Sequence, residues 1–217
     1  MARRFTLLDE PYFDALVRVV EAFQTAGLPI QLVGGGAVQV WVAALRTGFG
    51  QARLSDAAIL KGALRSTRDL DFATRSDAAE TLVVLNRLAL VLGPGTHVLG
   101  ARSLRLGQVT VSLSLGPEDL SGMAAHYDDF LQRRQTVGLR RSIRADLIPV
   151  IGLADLVATK LTRRGDKAKD LVDLEQLASA MRSADVRLDR DAVERLLGDD
   201  SEAKGLLDEL DREIAGD

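Results

Sequence analysis

The sequence predicts an α+β fold, a mixed sheet flanked by helices that is followed by a helical C-terminal region. Up to residue 151 the hydrophobic residues alternate between helical and strand periodicity, and from Gly152 onward only helical spacing occurs. Hydrophobic residues make up 47% of the 217 residues, so the chain can fill a sizeable core. We therefore expect a core at residues 1–151 and a helical region at residues 152–217 packed on that core.

The composition excludes several classes of site. The chain has no cysteine, which excludes disulfides, thiolate metal sites and a cysteine nucleophile. Its formal net charge of −3 argues against a protein that coats nucleic acid. No apolar stretch approaches the roughly 20 residues of a membrane span, and the N-terminal residues lack the apolar run of a signal peptide. We expect a cytoplasmic protein with no membrane partner.

The first half of the chain predicts a helix, a strand, a glycine turn and a second helix, in that order. The acids and the proline at residues 9–11 are typical of a helix start, because acids favour the positive end of the helix dipole. Ile30–Val33 is a short apolar strand that runs directly into three glycines, and residues 37–45 have helical spacing. Residues 47–66 predict an insertion near the glycine turn, a loop that contains one short helix.

The rest of the chain predicts further strands and then helices. Residues 70–74 have the composition of a strand, and Asp77 and Glu80 have the spacing of a capping box at a helix start. Residues 108–115 alternate strictly between apolar and polar side chains, which predicts a strand with two different faces. The other predicted elements are a helix at residues 119–134, a strand within residues 142–151, and four helices at residues 153–164, 167–181, 189–197 and 202–214.

Gly34 and Gly35 follow a strand and precede a helix, an arrangement that suits phosphate binding. Glycine lets the backbone approach a ligand closely, and the following helix offers unpaired N–H groups at the positive end of its dipole. We expect this turn to hold the triphosphate of an NTP. A tight turn without a ligand gives the same short pattern and is the alternative.

Asp69 and Asp71 lie two residues apart on a predicted strand, so their side chains share one face. Two neighbouring carboxylates repel each other and destabilise a fold unless a cation lies between them. Mg²⁺ bound to carboxylates and to phosphate oxygens is the ordinary solution, and we expect it here with an NTP as substrate. A solvated acidic edge strand is the alternative.

The helices after Gly152 carry a third group of polar residues. Lys160 lies among apolar neighbours, at a position from which a lysine at the edge of a cleft could meet phosphate. Asp170 and Asp173 are one helical turn apart on the next helix and share a face. A surface pair of helices joined by salt bridges is the alternative.

Taken in order, these three segments resemble a known family. The strings LVGGGAVQVW, RSTRDLDFAT and LADLVATKLTRRGDKAKDLVDLEQL are similar to those of the nucleotidyltransferase-like toxins, the AbiEii/AbiGii and MenT group. That group belongs to the DNA polymerase β-like nucleotidyltransferase superfamily. The resemblance covers roughly residues 30–180, and its most distinctive part is the pattern Arg-x-Thr-x-Asp-x-Asp.

The resemblance implies the polymerase β-like fold and Mg²⁺-dependent transfer of an NMP from an NTP to an acceptor hydroxyl. It also implies a role for eight positions. They are two metal ligands (Asp69 and Asp71), two phosphate-holding glycines (Gly34 and Gly35), two residues that frame the acidic strand (Arg65 and Thr67), a lysine that reaches the nucleotide (Lys160) and the acid that follows it (Asp170). The two metal ligands, the lysine and the last acid are the implied catalytic residues.

Many enzymes of that superfamily carry a third carboxylate on a later central strand, and this sequence departs from them. The polar face of the candidate strand presents only the hydroxyls of Thr110, Ser112 and Ser114. A hydroxyl is a poor metal ligand and a poor base at neutral pH. Either another acid fills the role, or the chain binds nucleotide or a partner chain without catalysis. The candidate acids are Asp170, ahead of Glu118 and Asp146.

The acceptor is open between two classes. The first is tRNA or another RNA, whose phosphates would meet the positive charge of the second half of the chain. The basic residues concerned are Arg133, Arg134, Arg140, Arg141, Arg144, Arg163, Arg164, Lys167 and Lys169. An ordinary basic surface balanced by acids gives the same composition. The second class is a small molecule, as in antibiotic-modifying enzymes. A toxin of the resembled family would also have a cognate antitoxin as partner.

Overall fold

The computed structural model describes residues 3–48, 51–116, 127–141, 145–163 and 168–216. The strands are β1 (Ile30–Val33), β2 (Gln51–Arg53), β3 (Asp69–Thr74), β4 (Thr96–Gly100), β5 (Ser103–Leu106), β6 (Val109–Ser114), β7 (Gln135–Arg140) and β8 (Ala145–Val150). The helices are α1 (Glu10–Thr25), α2 (Gly34–Thr47), α3 (Ala57–Leu60), α4 (Ala78–Leu92), α5 (Tyr127–Gln132), α6 (Leu153–Thr162), α7 (Ala168–Ala184), α8 (Arg190–Leu197) and α9 (Ser201–Ala215). Over these ranges, no helix has both the length and the apolar character that a membrane span requires.

In this part of the chain the strands form one mixed sheet of eight, in the order β2-β7-β8-β1-β3-β6-β5-β4. The central strand β1 is parallel to β8 and antiparallel to β3, and β3 is parallel to β6. Because β1 and β3 run in opposite directions, the end of β1 lies beside the start of β3, where Val33 is paired with Asp71. The topology therefore brings the glycine turn and the acidic strand to one place.

The two faces of the central strands differ in polarity. Leu70 and Phe72 of β3 point into the hydrophobic core, whereas Asp69 and Asp71 point to the opposite face. Strand β6 shows the alternation that the sequence predicts, with its apolar side chains buried and its hydroxyls partly buried. One face of the sheet is thus covered by the core, and the other presents acids and hydroxyls.

Helix α2 begins at Gly34, three residues before the predicted start, so the glycines form its first turn. No side chain caps its N-terminus. The helix is buried along most of its length, and the indole N–H of Trp41 donates a hydrogen bond of 2.9 Å to the backbone oxygen of Ile151. This contact connects α2 to the chain segment between β8 and α6.

Several short strands were not predicted. Within residues 47–66 the expected loop and helix are present as α3, but Gln51–Arg53 also adds a parallel strand to the sheet, with Gln51 paired to Gly138 of β7. Only the middle residue of this three-residue strand is buried, so it gives no periodic signal. Of the helix expected at residues 119–134, the described part is α5, and residues 117–126 lie outside the described ranges.

The four C-terminal helices match the predicted ones and pack on the rest of the protein. Helix α7 packs against α2, and α8 and α9 pack against α6 and α7. One hydrophobic cluster includes Leu32 of β1, Trp41 of α2 and Leu177 of α7. The division into two domains at residue 152 stays a prediction.

The N-terminal segment is attached to the chain just before the acidic strand. Phe5 and Thr67 exchange two backbone hydrogen bonds, with N···O distances of 2.7 and 2.8 Å. Gln39 of α2 supports the same segment, because its side chain accepts a bond from Leu7 N at 2.7 Å and donates one to Phe5 O at 3.3 Å. The start of β3 is therefore held from both sides.

Candidate active site

A cleft of about 440 Å³ lies over the polar face of the sheet, between the N-terminus of α2 and helices α6 and α7. Six of the residues that the sequence singles out line it, namely Gly34, Gly35, Asp69, Asp71, Lys160 and Asp170. The other two, Arg65 and Thr67, lie directly behind Gly35. The structure therefore brings all eight positions together around one cavity.

Glycine at positions 34 and 35 is required by the neighbours of the turn. Gly34 has a φ of +63°, and a Cβ atom there would lie 2.7 Å from Oδ2 of Asp71. A Cβ atom on Gly35 would lie 3.0 Å from Nη2 of Arg65 and 3.2 Å from Oγ1 of Thr67. The amide end of α2 can approach Asp71 this closely only because residue 34 has no side chain, and a side chain at residue 35 would press against Arg65 and Thr67.

Asp69 and Asp71 extend from β3 into this cleft. Burial raises the pKa of Asp71, and the charge of Asp69 raises it further, while Lys169, Lys160 and Arg163 lower it. Because its pKa is raised in the folded protein, a charged Asp71 lowers the free energy of unfolding at pH values above its ordinary pKa of 3.8. A cation bound beside these carboxylates would relieve that cost.

The donors in the cleft fit a magnesium ion. Mg²⁺ is typically bound through one or two carboxylates, with phosphate oxygens and waters completing an octahedral shell. The observation in favour of this fit is that both carboxylates line the cleft beside the amide end of α2, where a Cβ atom on Gly34 would lie 2.7 Å from Oδ2 of Asp71. Among the described residues there is no cluster of three or more His, Asp or Glu side chains that could hold a metal alone. Phosphate oxygens of a substrate would therefore be part of the shell.

Arg65 is held in place by helix α7. Its guanidinium donates two hydrogen bonds to Asp173, from Nε to Oδ1 at 2.5 Å and from Nη2 to Oδ2 at 3.0 Å. Its backbone N–H donates to Oε1 of Gln176 at 3.1 Å. These contacts fix the guanidinium against Gly35 and fasten the segment before β3 to the C-terminal helices.

Lys160 forms ion pairs with two acids of helix α7. Its ammonium donates to Oδ1 of Asp170 at 2.5 Å and to Oδ2 of Asp173 at 2.7 Å. Both carboxylates are completely buried, and the lysine is 3% exposed. Lys160, Asp170, Asp173 and Arg65 thus form one buried ion network, which we call the α6–α7 network. The alternative of a surface pair of helices joined by salt bridges has the right pairing but the wrong location, since Lys160, Asp170 and Asp173 are buried.

Strand β6, beside β3, carries hydroxyls where many enzymes of the resembled superfamily carry a third carboxylate. Ser112 of β6 is paired with Asp71, and both Ser112 and Ser114 line the cleft. Of the acids considered as replacements, Asp170 lines the cleft and Asp146, on the distant part of β8, does not. Glu118 lies outside the described residues.

Two charged residues of the cleft, and one tyrosine beneath the acidic strand, were not predicted as site residues. Lys169 and Arg163 line the cavity, whereas the sequence placed them only in a basic surface. Tyr12 lies under the acidic strand, where its hydroxyl is 3.4 Å from the backbone oxygen of Asp69. Burial, with the charges of Asp71 and Asp69, raises the pKa of Tyr12 well above its ordinary value, so this phenol stays neutral. No local pattern in α1 indicates this contact, because it joins residues far apart in the chain.

The proposed basic surface is partly occupied by contacts within the protein. Arg133 is paired with Asp155 at 2.5 Å, and this carboxylate raises the pKa of the arginine. Arg141 lies over the ring of Phe13 and donates to the backbone oxygen of Leu8 at 2.6 Å. Three further candidates, at positions 144, 164 and 167, lie outside the described residues.

No protein-family model matches the sequence, and no curated protein does either. The solved structures that are similar to this one include the following two. The antibiotic-resistance factor ANT(2″)-Ia superposes with a TM-score of 0.51 at 10% sequence identity, over 93% of this chain and 97% of that chain. An antigenic nucleotidyltransferase-like protein from Paracoccidioides brasiliensis superposes with a TM-score of 0.56 at 12% identity, over 96% of this chain and 94% of that chain.

At these identities the similarity concerns the fold, and the finer resemblance to the AbiEii/AbiGii and MenT toxins stays a prediction. The predicted fold class is confirmed, with its mixed sheet and flanking helices. The chain has the fold of the nucleotidyltransferase-like proteins.

Proposed function

We propose that this protein transfers an NMP group from an NTP to an acceptor hydroxyl with the help of Mg²⁺. One observation carries the proposal. The uncapped amide end of α2 and the carboxylate of Asp71 face the same cleft, so closely that a Cβ atom on Gly34 would lie 2.7 Å from that carboxylate. A phosphate cradle and a cation site side by side are what the substrate of a nucleotidyl transfer needs.

The N–H groups of the first turn of α2 bind the phosphates, and Asp69 and Asp71 would hold the metal ion. When bound, the ion would neutralise charge on the phosphate oxygens and orient them. The acceptor oxygen bonds to the α-phosphorus in line, and the bond from that phosphorus to the bridging oxygen breaks, so pyrophosphate leaves with the electron pair. Asp170 is the candidate to accept the hydroxyl proton, since its Oδ2 is buried without a hydrogen-bond partner among the described residues.

The test is the variant Asp71→Asn, incubated with each labelled NTP and total RNA. We expect transfer to fall by at least about 100-fold, as is usual when one charge-stabilising group is removed from a transition state. The fold should be as stable as the wild type or more so, because a buried charge with a raised pKa is removed.

The matched control is Asp199→Asn, which makes the same change at an exposed position outside the cleft. It should transfer as well as the wild type. Full activity of Asp71→Asn in a folded protein would refute the proposal.

An RNA acceptor and a toxin role rest on the family resemblance. They imply tRNA or another RNA as substrate and a cognate antitoxin as partner. Labelled product that runs with RNA, and loss of the label on ribonuclease treatment, would support this acceptor. Label that is found in no RNA fraction would count against it.

A small-molecule acceptor is a second candidate, and one observation favours it. One similar structure is that of an antibiotic-resistance factor, which matches this chain over nearly the full length of both. A protein that labels a small hydroxyl compound, and no RNA, would fit this candidate.

Nucleotide binding without transfer is a third candidate, and the hydroxyls of Ser112 and Ser114 at the position of the third carboxylate favour it. Calorimetric titration with NTP and Mg²⁺ beside the transfer assay separates this candidate from the enzyme. Binding without transfer across a broad set of acceptors would support it.

A further inference from the structure

The positive charge of Lys160 is neutralised by the carboxylates of the α6–α7 network. An ammonium has three donors, and two of them bond to the fully buried carboxylates of Asp170 and Asp173. Arg65 is the second cation of the network, so two positive and two negative charges balance. A triphosphate bound nearby would meet a neutral group rather than a free lysine.

Two other cations line the same cleft. The Nε atom of Arg163 lies 3.9 Å from Oδ2 of Asp170, beyond hydrogen-bond reach, and both atoms are buried without a hydrogen-bond partner among the described residues. Lys169 is exposed at the rim and has no hydrogen bond or ion pair to any described residue. Lys169 thus has no partner among the described residues, and Arg163 is paired with Asp170 only at a distance too long for a hydrogen bond, so both can still donate to a ligand.

These two cations also lie close enough to act on the acidic strand. Lys169 and Arg163 line the same cavity as Asp69 and Asp71. A group that acts on Asp71 from across the cleft also acts on a phosphate beside Asp71.

We propose that Lys169 and Arg163 bind the triphosphate, and that Lys160 is a positioning residue that orients Asp170 and, through Asp173, Arg65. The proposal rests on the proposed function in that its ligand is an NTP. The two types of cation suit the task differently. The planar guanidinium of Arg163 can donate to two phosphate oxygens at once, and the ammonium of Lys169 acts as a mobile point charge.

The experiment measures Kd by titration calorimetry with Mg²⁺ present, for each NTP, for inorganic tripolyphosphate and for the matching nucleoside monophosphate. The variants are Lys169→Gln and Arg163→Gln. We expect each to weaken binding of NTP and of tripolyphosphate by about 10- to 100-fold, the loss typical of one hydrogen bond to a charged group. Binding of the monophosphate should change far less, and the thermal unfolding midpoint should stay within a degree or so of the wild type.

The matched controls are Lys61→Gln and Arg18→Gln, two exposed cations that do not line the cleft. They should leave every Kd unchanged. Lys160→Met should behave in the opposite way to the cleft variants, with a clearly lowered unfolding midpoint, because it leaves two buried carboxylates without their cation. Lys160→Arg keeps the charge and should keep most of the affinity for tripolyphosphate.

The outcomes separate this proposal from the proposed function. Unchanged Kd values for NTP in both Gln variants would overturn the phosphate assignment and leave nucleotidyl transfer standing. Weakened tripolyphosphate binding in a protein that transfers no NMP would support the phosphate assignment and count against transfer. A wild-type protein that binds neither NTP nor tripolyphosphate would overturn both.

Discussion

At the scale of single residues, the cleft depends on the absence of a side chain at position 34. Gly34 has a left-handed backbone conformation, with φ at +63°, and its Cα faces the carboxylate of Asp71. Any other residue would meet both a backbone penalty and a steric one. The glycine is therefore a structural requirement of the acid–amide contact, whichever ligand the cleft takes.

We predict that Gly34→Ala destabilises the protein by about 1–2 kcal/mol through its backbone conformation alone, and more through the contact with Asp71. The measurement is the free energy of unfolding in urea. Gly205→Ala is the matched control, since Gly205 is exposed within helix α9 and a Cβ atom there would meet nothing within 4 Å. Alanine at position 205 should stabilise the protein by about 0.5–1 kcal/mol. Equal effects of the two changes would contradict the prediction.

The residues of the turn and of the acidic strand could be predicted because their chemistry is local. Side chains two residues apart on a strand point to the same face of the sheet. A glycine that follows a strand allows the backbone to approach a neighbouring group closely. The partner of Lys160 could not be predicted in the same way. Asp173 lies 13 residues away on another helix and also binds Arg65, which is 108 residues before it. Only the packed fold brings those charges together.

At the scale of elements, helix α7 connects the C-terminal helices to the site. Asp173 accepts hydrogen bonds from Arg65 and Lys160, and Gln176, one turn later, accepts the backbone N–H of Arg65. The same helix packs on α2, whose N-terminus forms the cleft. A helix that appears peripheral in the chain therefore fixes the geometry on both sides of the glycine turn.

We predict that Asp173→Ala lowers the free energy of unfolding by about 3–5 kcal/mol, because it leaves the buried Lys160 and the partly buried Arg65 without their shared acid. Asp211→Ala is the comparison. Asp211 is also bonded to an arginine, Arg190 at 2.8 Å, but both side chains are partly exposed. Water screens such a pair, so its loss should change stability little. Denaturant titration of both variants checks the contrast, and similar losses would contradict it.

Long elements were predictable and short ones were not. Helices α1, α4 and α6 to α9 were predicted within a few residues, since each spans enough turns for an apolar stripe or a capping signal. Strands β2, β4, β5 and β7 were missed. β2 and β4 form the two edges of the sheet, and their mostly exposed side chains leave little hydrophobic pattern. Strand pairing, which the sequence does not encode locally, decides whether such segments join a sheet.

At the scale of the whole molecule, the hydrophobic cluster runs through the sheet and the C-terminal helices without a break. Polar contacts follow the same route, including a hydrogen bond of 3.0 Å from Arg46 of α2 to Ser179 of α7. These contacts favour cooperative folding of the two regions that the sequence predicts as core and helical appendix.

We predict one unfolding transition. Trp41 is the only tryptophan of the chain and lies buried in α2, so its fluorescence reports on the core. Far-UV circular dichroism reports on all helices, including α6 to α9. The two denaturant curves should coincide, because a cooperative unit loses both signals together. A dichroism curve with a separate step, at a denaturant concentration where the fluorescence is unchanged, would indicate an independent C-terminal domain.

The pairing of Phe5 with Thr67 has a practical consequence for work with this protein. An affinity tag fused before residue 5, or a truncation that removes this residue, would act on the segment that leads into Asp69 and Asp71. Recombinant protein prepared in that way could lose activity for reasons unrelated to its chemistry. A tag after Ala215, where α9 ends, avoids this risk and should be used for every assay described above.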